Sequence, residues 1–403
     1  MTLPANLAAL RDEAMRTSCE GWAIQKRWVL ARGIDRAGPC PMCGGTDRFA
    51  IHTKKNTFNC RGCGISGAGV IDLVMATEGV EFVVACEIIT GRKAEAEIDP
   101  ARAEQLRRDA EAAEAKRDAD AARYREEARK AAYRVWQTGY PARWSSSMPG
   151  PVVSYLRMRG VDFPGVTAKA IGDQVKLLEL DRHPWKEKQG SVWTTLHEGP
   201  AMLAAVQRAD GHFGAIHITW LDLDQPKGKL VLPPIEQVDG DGVVKTIERP
   251  TKKVLGAKKG GAIRLYTPEK PHRIVMGEGI ETTLTALAHG YERDTAYWAG
   301  VDLPNMSGKA ARSESGGQVW DQPDLVDVDC FVPPDWCEEL VYLCDSDEAS
   351  THTEEKVIRG LRRALALRLA ARAEGRDVPA LQVSYVPPLG EGRDLNDLVR
   401  VGA

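Results

Sequence analysis

Four cysteines in the stretch CPMCGGTDRFAIHTKKNTFNCRGC, residues 40–63, are spaced to hold a metal ion. Two residues separate Cys40 from Cys43, two separate Cys60 from Cys63, and sixteen lie between the pairs. A turn at each Cys-x-x-Cys lets both sulfurs face one point, and four thiolates complete a tetrahedral Zn²⁺ site with no open position. Between the pairs, RFAIHTKKNTFNC alternates in strand fashion about a polar turn at residues 54–56. The expectation is a zinc-ribbon hairpin with one structural ion. A thioredoxin-like redox site would need a single Cys-x-x-Cys opening a helix after a strand. His52 lies mid-strand with no partner at ligand spacing.

The ribbon is locally basic. Arg48, Lys54, Lys55 and Arg61 lie on it, and Lys26, Arg27, Arg32 and Arg36 precede it. The patch suits a phosphate backbone. Phe49 and Phe58 either stack on bases, as in single-strand binders, or fill a small core.

A second chemistry comes from acidic residues that end apolar runs. Glu278 follows HRIVMG, with Glu281 opening the helical pattern IETTLTALAHG. Asp345 and Asp347 follow ELVYLC, and GRDLNDL near the C-terminus carries Asp394, Asn396 and Asp397. Ligands of open parallel sheets bind beyond the carboxyl ends of strands, so these groups can meet in one crevice. Clustered carboxylates raise one another's pKa unless divalent cations neutralise them. Mg²⁺ prefers such oxygen ligands and bridges to substrate phosphates. A site of this kind activates an attacking hydroxyl and stabilises the leaving oxygen in phosphoryl transfer. Taken singly, each motif also reads as a helix cap or a solvated loop. Thr351 with Glu354 spells a capping box of its own, which leaves Asp345 and Asp347 free of that duty.

Between these sites, KKVLGAKKGGAIRLYTP sets Lys252, Lys253, Lys258, Lys259 and Arg264 among Gly256, Gly260 and Gly261. A glycine-rich backbone can approach phosphates while the cations neutralise them; a solvated turn is the plainer reading. No G-x-x-x-x-G-K-[ST] occurs, so an ATP-driven helicase is not expected in this chain.

The elements that must position these groups follow from patterning. The 403 residues are 43% hydrophobic and 28% charged, enough for several globular domains. A net charge of −3 gives no global polycation, so nucleic acid must be met by local patches. No apolar run approaches a membrane span, and the N-terminus lacks a signal-peptide pattern. A reduced, cytoplasmic protein is expected, in which paired cysteines among the nine bind metal. The expected class is multi-domain α/β. Residues 1–90 hold the ribbon and two short helices in GVIDLVMATEGVEFVVACEIITG, and 91–136 form a charged, exposed linking helix with no apolar stripe. Residues 137–268 form an α+β segment with β-like runs at GAIHITWLDLD, KLVLPP and AIRLYTP, and 269–403 alternate strands with helices as a parallel sheet does. Cys19, Cys86, Cys330, Cys337 and Cys344 read as buried thiols. Trp136, Trp144, Trp185, Trp193 and Trp220 read as core.

Residues 36–91 resemble the N-terminal zinc-binding domain of DnaG-type bacterial and phage DNA primases, through two knuckles, a hairpin, "IDL" and the "EF…A" helix. Cys43 stands where many relatives have His. The C-terminal part resembles the Toprim domain. Glu278 matches its glutamate, Asp345 and Asp347 its Asp-x-Asp pair, and Asp394 with Asp397 its "G-(K/R)-D-x-N-D" ending. The resemblance implies Mg²⁺ or Mn²⁺ held by Glu278, Asp345, Asp347 and Asp397, with Glu278, Asp345, Asp347 and Asp394 catalytic and Glu278 an acid/base group. It implies a ribbon that binds single-stranded template and a product that is a short RNA primer, made from ribonucleoside triphosphates for a phage, plasmid or similar element. A separate replicative helicase is the expected partner, and no membrane is involved. Ser350 departs from the usual glycine after Asp-x-Asp. The rival implication is a non-catalytic DNA-binding scaffold that joins a zinc finger to Toprim.

Overall fold

A computed structural model of the chain describes residues 5–94, 100–189, 192–238, 244–313, 317–327, 329–344 and 352–387. Asp345, Asp347, Asp394 and Asp397 lie outside the described residues, as does Thr351. Two units divide the chain: Met1–Ala122 with Pro234–Ile247, and Arg123–Pro233 with Glu248–Ala403.

The first unit opens with α1 (Ala5–Ala14) and α2 (Cys19–Gln25). Ser18 caps α2, its Oγ accepting from the Gly21 N–H at 2.9 Å. Strands β1 (Asp35–Cys40), β2 (Gly44–His52), β3 (Thr57–Cys60) and β4 (Ser66–Ala68) follow and pair in that order as an antiparallel sheet. Helices α3 (Gly69–Glu78) and α4 (Phe82–Thr90) come next, as the sequence leads one to expect. Each stops at a glycine in the left-handed region, Gly79 at φ 64° and Gly91 at φ 70°. The core gathers Trp22, Phe49, Ile51, Phe58, Leu73 and Val74. Phe49 and Phe58 are therefore core residues, 0% and 3% exposed. β9 (Ile235–Val238) and β10 (Val244–Ile247) form an antiparallel hairpin.

Helix α5 (Pro100–Trp136) is 37 residues long. Glu126 ties to Arg129 at 2.7 Å and to Lys130 at 3.8 Å along its surface. Its last turns, in the second unit, bury Ala132 and pack Val135 and Trp136 against the cluster that holds Leu203 and Ile216.

The second unit is built on one ten-stranded mixed sheet. Its elements are β5 (Tyr140–Pro141), α6 (Pro151–Met158), α7 (Gly165–Gly172), β6 (Leu177–Gln189), β7 (Val192–Gln207), β8 (Phe213–Trp220), β11 (Lys252–Gly256) and β12 (Ala262–Tyr266). Then come β13 (Arg273–Gly277), α8 (Ile280–His289), β14 (Thr295–Ala299), α9 (Leu303–Ser307), β15 (Ala310–Arg312), β16 (Gln318–Pro323), β17 (Glu339–Leu343), α10 (Thr353–Ala373) and β18 (Gln382–Val386). The order β11-β8-β7-β12-β14-β13-β17-β18, with β6 on β7 and β5 on β6, joins an antiparallel half to a parallel half. β12 is the seam, antiparallel to both β7 and β14. From β14 to β18 every pairing is parallel.

Both faces of the parallel half are covered, which is why its strands read as unbroken apolar runs. Val275, Tyr297 and Val341 pack with Ile280, Leu284 and Leu287 of α8. Ile274, Met276, Leu340 and Tyr342 pack with Val357 and Leu361 of α10.

Some expectations change. KLVLPP forms no ladder beyond an isolated bridge between Leu221 and Lys229, because Pro233 and Pro234 have no N–H to offer one. α10 begins at Thr353 with His352 before it at φ 62°; the capping box expected from Thr351 and Glu354 falls on Thr351, outside the described residues. Trp193 is 67% exposed near the end of the long β6–β7 hairpin, where no second layer covers it. Trp144, Trp185 and Trp220 are buried. Cys19, Cys86, Cys330 and Cys337 are buried free thiols. No helix among the described residues is long and apolar enough to cross a membrane.

Candidate functional site

The β1–β2 and β3–β4 turns bring Cys40, Cys43, Cys60 and Cys63 together, with all four Sγ atoms within 4.8 Å of one another. Cys43 and Cys60 stand 3.6 Å apart and Cys40 and Cys63 3.8 Å. Four sulfurs bound to one tetrahedral zinc at about 2.3 Å would be about 3.8 Å apart, the spacing of these two pairs. The Met42 N–H points at the Cys40 Sγ (3.4 Å) and the Gly62 N–H at the Cys60 Sγ (3.3 Å). Such N–H donors stabilise thiolate charge.

The thiols compete for that charge. At Cys60 burial pushes the pKa up, but the backbone around Cys63 and Gly62 and the neighbouring thiols overcome it and bring it down to about 6. Burial and the other three thiols drive Cys43 up to about 12. A dication held by the four sulfurs would remove the competition.

Arg48 lies over both knuckles: a Cβ on Gly62 would meet its Cδ at 2.7 Å and the Cys43 Sγ at 3.1 Å. Arg61 is held by Asp47 at 3.0 Å, while Lys54 and Lys55 are exposed at the hairpin turn. His52 accepts from the Lys55 N–H through Nδ1 at 3.1 Å and thereby shapes that turn.

In the second unit Glu278 sits half-buried just past the carboxyl end of β13. Thr283 fixes the bend: its Oγ1 accepts from the Gly277 N–H at 3.2 Å and donates to the Gly279 carbonyl at 2.8 Å. A Cβ on Gly277 would come within 2.9 Å of that hydroxyl. β17 runs parallel beside β13, with Met276 opposite Tyr342. The described chain continues from β17 to Cys344, whose N–H bonds the Val386 carbonyl at 3.1 Å.

A cavity of about 420 Å³ is lined by His217, Lys252, Lys253, Val254, Gly256, Lys258, Val301 and Asp302. Strand alternation sorts its lysines. Lys252 pairs with Thr219 and Val254 with His217, which puts these residues on one face of β11. The Lys253 ammonium is turned away, 3.4 Å from the Trp185 ring centroid and donating to the Lys186 carbonyl at 2.6 Å. Lys258 is paired with Asp302, and Lys259 with Asp329 at 2.5 Å. The Arg264 guanidinium lies 4.5 Å from the Trp298 ring centroid and donates to the Arg208 carbonyl at 2.9 Å.

Next to the Glu278 turn, Glu281 in the first turn of α8 receives the Lys229 ammonium at 2.8 Å and the Tyr155 hydroxyl. Burial pushes its pKa up, but the Lys229 charge and hydrogen bond, with Tyr155, win and hold it at about 2. His217 feels both partners. Burial, helped by Lys252, Lys229 and Lys258 against Glu281, lowers its pKa to about 4 and keeps the ring neutral at pH 7. Glu281 and Lys229 thus act in opposite senses on the charge of His217, which lines the cavity. Sequence reasoning missed Tyr155, His217, Lys229 and Asp302 as members of this group. The only local signal was the PKGK turn around Lys229.

Residues 35–70 match the family described as the zinc-binding domain of primase-helicase. Residues 126–265 match a domain family of unknown function. No curated protein matches the chain. Solved structures with some likeness include the zinc-binding and RNA polymerase domains of the Aquifex aeolicus primase, 15% identical over 99% of this chain and 83% of that one, with a TM-score of 0.30. A Pseudomonas aeruginosa DNA primase domain is 14% identical over 62% and 68%, TM-score 0.32. The primase fragment of the bacteriophage T7 primase-helicase is 14% identical over 93% and 96%, TM-score 0.27. Scores this low do not make the folds one. The chain is a two-unit α/β protein that carries a zinc ribbon of the primase-helicase kind.

Proposed function

We propose that the chain is a DNA primase that makes short RNA primers on single-stranded DNA for a phage, plasmid or similar element. The observation that carries this reading is the ribbon match at residues 35–70, on a chain whose second unit has Glu278 just past the end of a parallel strand and, in the same sheet, a lysine-lined cavity. The domain division 1–90, 91–136, 137–268 and 269–403, with a Toprim domain last, belongs to the same proposal.

In this reading Cys40, Cys43, Cys60 and Cys63 hold Zn²⁺, and Arg48, Lys54, Lys55 and Arg61 offer charge to the template backbone. Lys252 and Lys258, with Lys229, receive the triphosphate of an incoming ribonucleotide; Lys253, Lys259 and Arg264 add positive field around them. Carboxylate oxygens of Glu278, Asp345, Asp347 and Asp397 are the donor type that suits Mg²⁺ or Mn²⁺, which when bound neutralises phosphate charge. A primer 3′-hydroxyl attacks the α-phosphorus. The bond to the β-phosphate oxygen breaks, pyrophosphate departs with that electron pair, and Glu278 takes the hydroxyl proton, with Asp394 a further member of the proposed catalytic set. The neutral His217 keeps a hydrogen-bonding wall that adds no charge to the lysine field. Unwinding is assigned to a separate helicase.

The deciding experiment is labelled ribonucleotide incorporation on random single-stranded DNA with Mg²⁺ or Mn²⁺, with and without EDTA. Metal-dependent primers support the proposal. DNA binding without incorporation under every condition would replace it with the scaffold role.

A further inference from the structure

A second cavity, of about 550 Å³, opens beside the β15–β16 hairpin and shares no lining residue with the lysine cavity. Its wall includes Lys309, Arg312, Trp320, Asp324, Leu325 and Arg359. Arg359, on α10, is 5% exposed. Its guanidinium donates to the Ser307 carbonyl at 3.4 Å, the Ser307 Oγ at 3.0 Å and the Trp320 carbonyl at 2.7 Å. All of these acceptors are neutral, and among the described residues no carboxylate forms an ion pair with it. A guanidinium carries more N–H donors than these bonds use, and it keeps its charge when buried. A buried cation without a counter-ion is costly, and an anion in the adjoining space offsets that cost.

The rest of the wall agrees. The Lys309 side chain is 72% exposed and only loosely held, 3.7 Å from Asp327. Arg312 reaches the cavity from the end of β15. Asp324, the lone carboxylate among the lining residues, is already engaged with the Val326 N–H at 3.0 Å. Trp320 is 37% exposed and stacks on His352 with ring centroids 4.6 Å apart and planes 8° from parallel. The volume lies within the range of small-ligand sites.

We propose that this cavity is a second nucleotide site, with the phosphates against Arg359, Lys309 and Arg312 and the base against Trp320. Guanidinium groups bind phosphate oxygens in forked pairs, and an indole gives a base a broad apolar surface. The proposal does not depend on the chain being a polymerase. The cavity is separate from the lysine cavity, with which it shares no lining residue.

The test titrates ATP and pyrophosphate calorimetrically into the full chain in EDTA, in a K252A/K258A background that strips the lysine cavity of charge. ATP should still bind. Adding K309A/R312A should weaken both ligands about tenfold or more, and W320L should weaken ATP toward the pyrophosphate affinity while leaving pyrophosphate unchanged. Arg359→Lys keeps a charge in the wall, and circular dichroism checks that each variant folds. No ATP binding in the background, or binding unmoved by K309A/R312A, overturns the site. Equal displacement by a thymidine oligonucleotide with no effect of W320L assigns the phosphates to a strand and overturns the nucleotide. If K252A/K258A leaves wild-type stoichiometry intact while K309A/R312A lowers it, the lysine-cavity reading falls and this one stands.

Discussion

Replacing Glu281 with Gln should weaken the second unit by an amount the structure sets. The carboxylate is largely shielded from solvent, its side chain 14% exposed, with Lys229 at 2.8 Å and Tyr155 as partners, and its pKa falls from an ordinary 4.5 to about 2. That gap corresponds to about 3 kcal/mol, close to the roughly 3–5 kcal/mol lost when one member of a buried pair is removed. Gln keeps the shape and a hydrogen bond to Tyr155 but leaves the ammonium without its charge partner. The folded-state pKa lies below the unfolded one, so the stabilisation is present in full above the unfolded value. It declines as pH falls below about 4.5 and is gone below about 2. Urea unfolding followed by tryptophan fluorescence should show E281Q less stable by about 3 kcal/mol at pH 7, with the deficit reduced by about half near pH 3. K229M should cost a similar amount alone and little more when combined with E281Q, because the two changes remove one interaction. A deficit under about 1 kcal/mol at pH 7, or one that ignores pH, would show that Glu281 is solvated and that Lys229 is not anchored by it.

The other predictions concern the ribbon and the acids. Cys60→Ser should release zinc, measured by metal analysis of the purified chain, and lower affinity for single-stranded DNA; unchanged zinc content refutes the four-sulfur site. Removing Lys54 and Lys55 together should flatten the slope of log affinity against log salt by about 1.4, at about 0.7 per lost phosphate contact on a single strand. An unchanged slope takes the hairpin turn out of the interface. Asp345→Ala or Asp347→Ala should abolish primer synthesis in the incorporation assay and spare DNA binding, and a variant that still extends primers removes that residue from the metal set.

What the sequence made legible follows from how local each constraint is. The ribbon could be read because four ligands within one short span must reach a single ion, and the spacing itself encodes the hairpin. The strands before Glu278 and Cys344 could be read because sheets buried on both faces leave continuous apolar runs, here IVM and LVYL. The basic run at 252–264 was legible as charge but not as geometry. β11 is a regular strand, so Lys252 and Lys253 face opposite ways, one toward His217 and the other onto Trp185. The alternation was present in KKVLG, but five cations among three glycines look like a loop when the partner strand is unknown. Trp193 misled for a related reason: an aromatic in a strand implies a covering layer only where the strand stays within one.

Lys229 shows the limit most clearly. It sits in an irregular turn after β8, and nothing in DQPKGK sets it apart from Lys227 two positions earlier. Its role is defined by Glu281, more than fifty residues later in the chain, and by Tyr155, more than seventy residues earlier. These meet only because β12 joins the antiparallel and parallel halves into one sheet. The coupling also explains why Glu281 can be fully charged in a buried place: Lys229 supplies the compensation, and Glu281 in turn fixes a cation that would otherwise sweep solvent. On the proposed function, a triphosphate that reaches Lys229 would therefore meet an ammonium already oriented, with its conformational entropy spent in folding rather than in binding. Shortening that side chain should then lower nucleotide affinity by more than the loss of an exposed lysine such as Lys227 would.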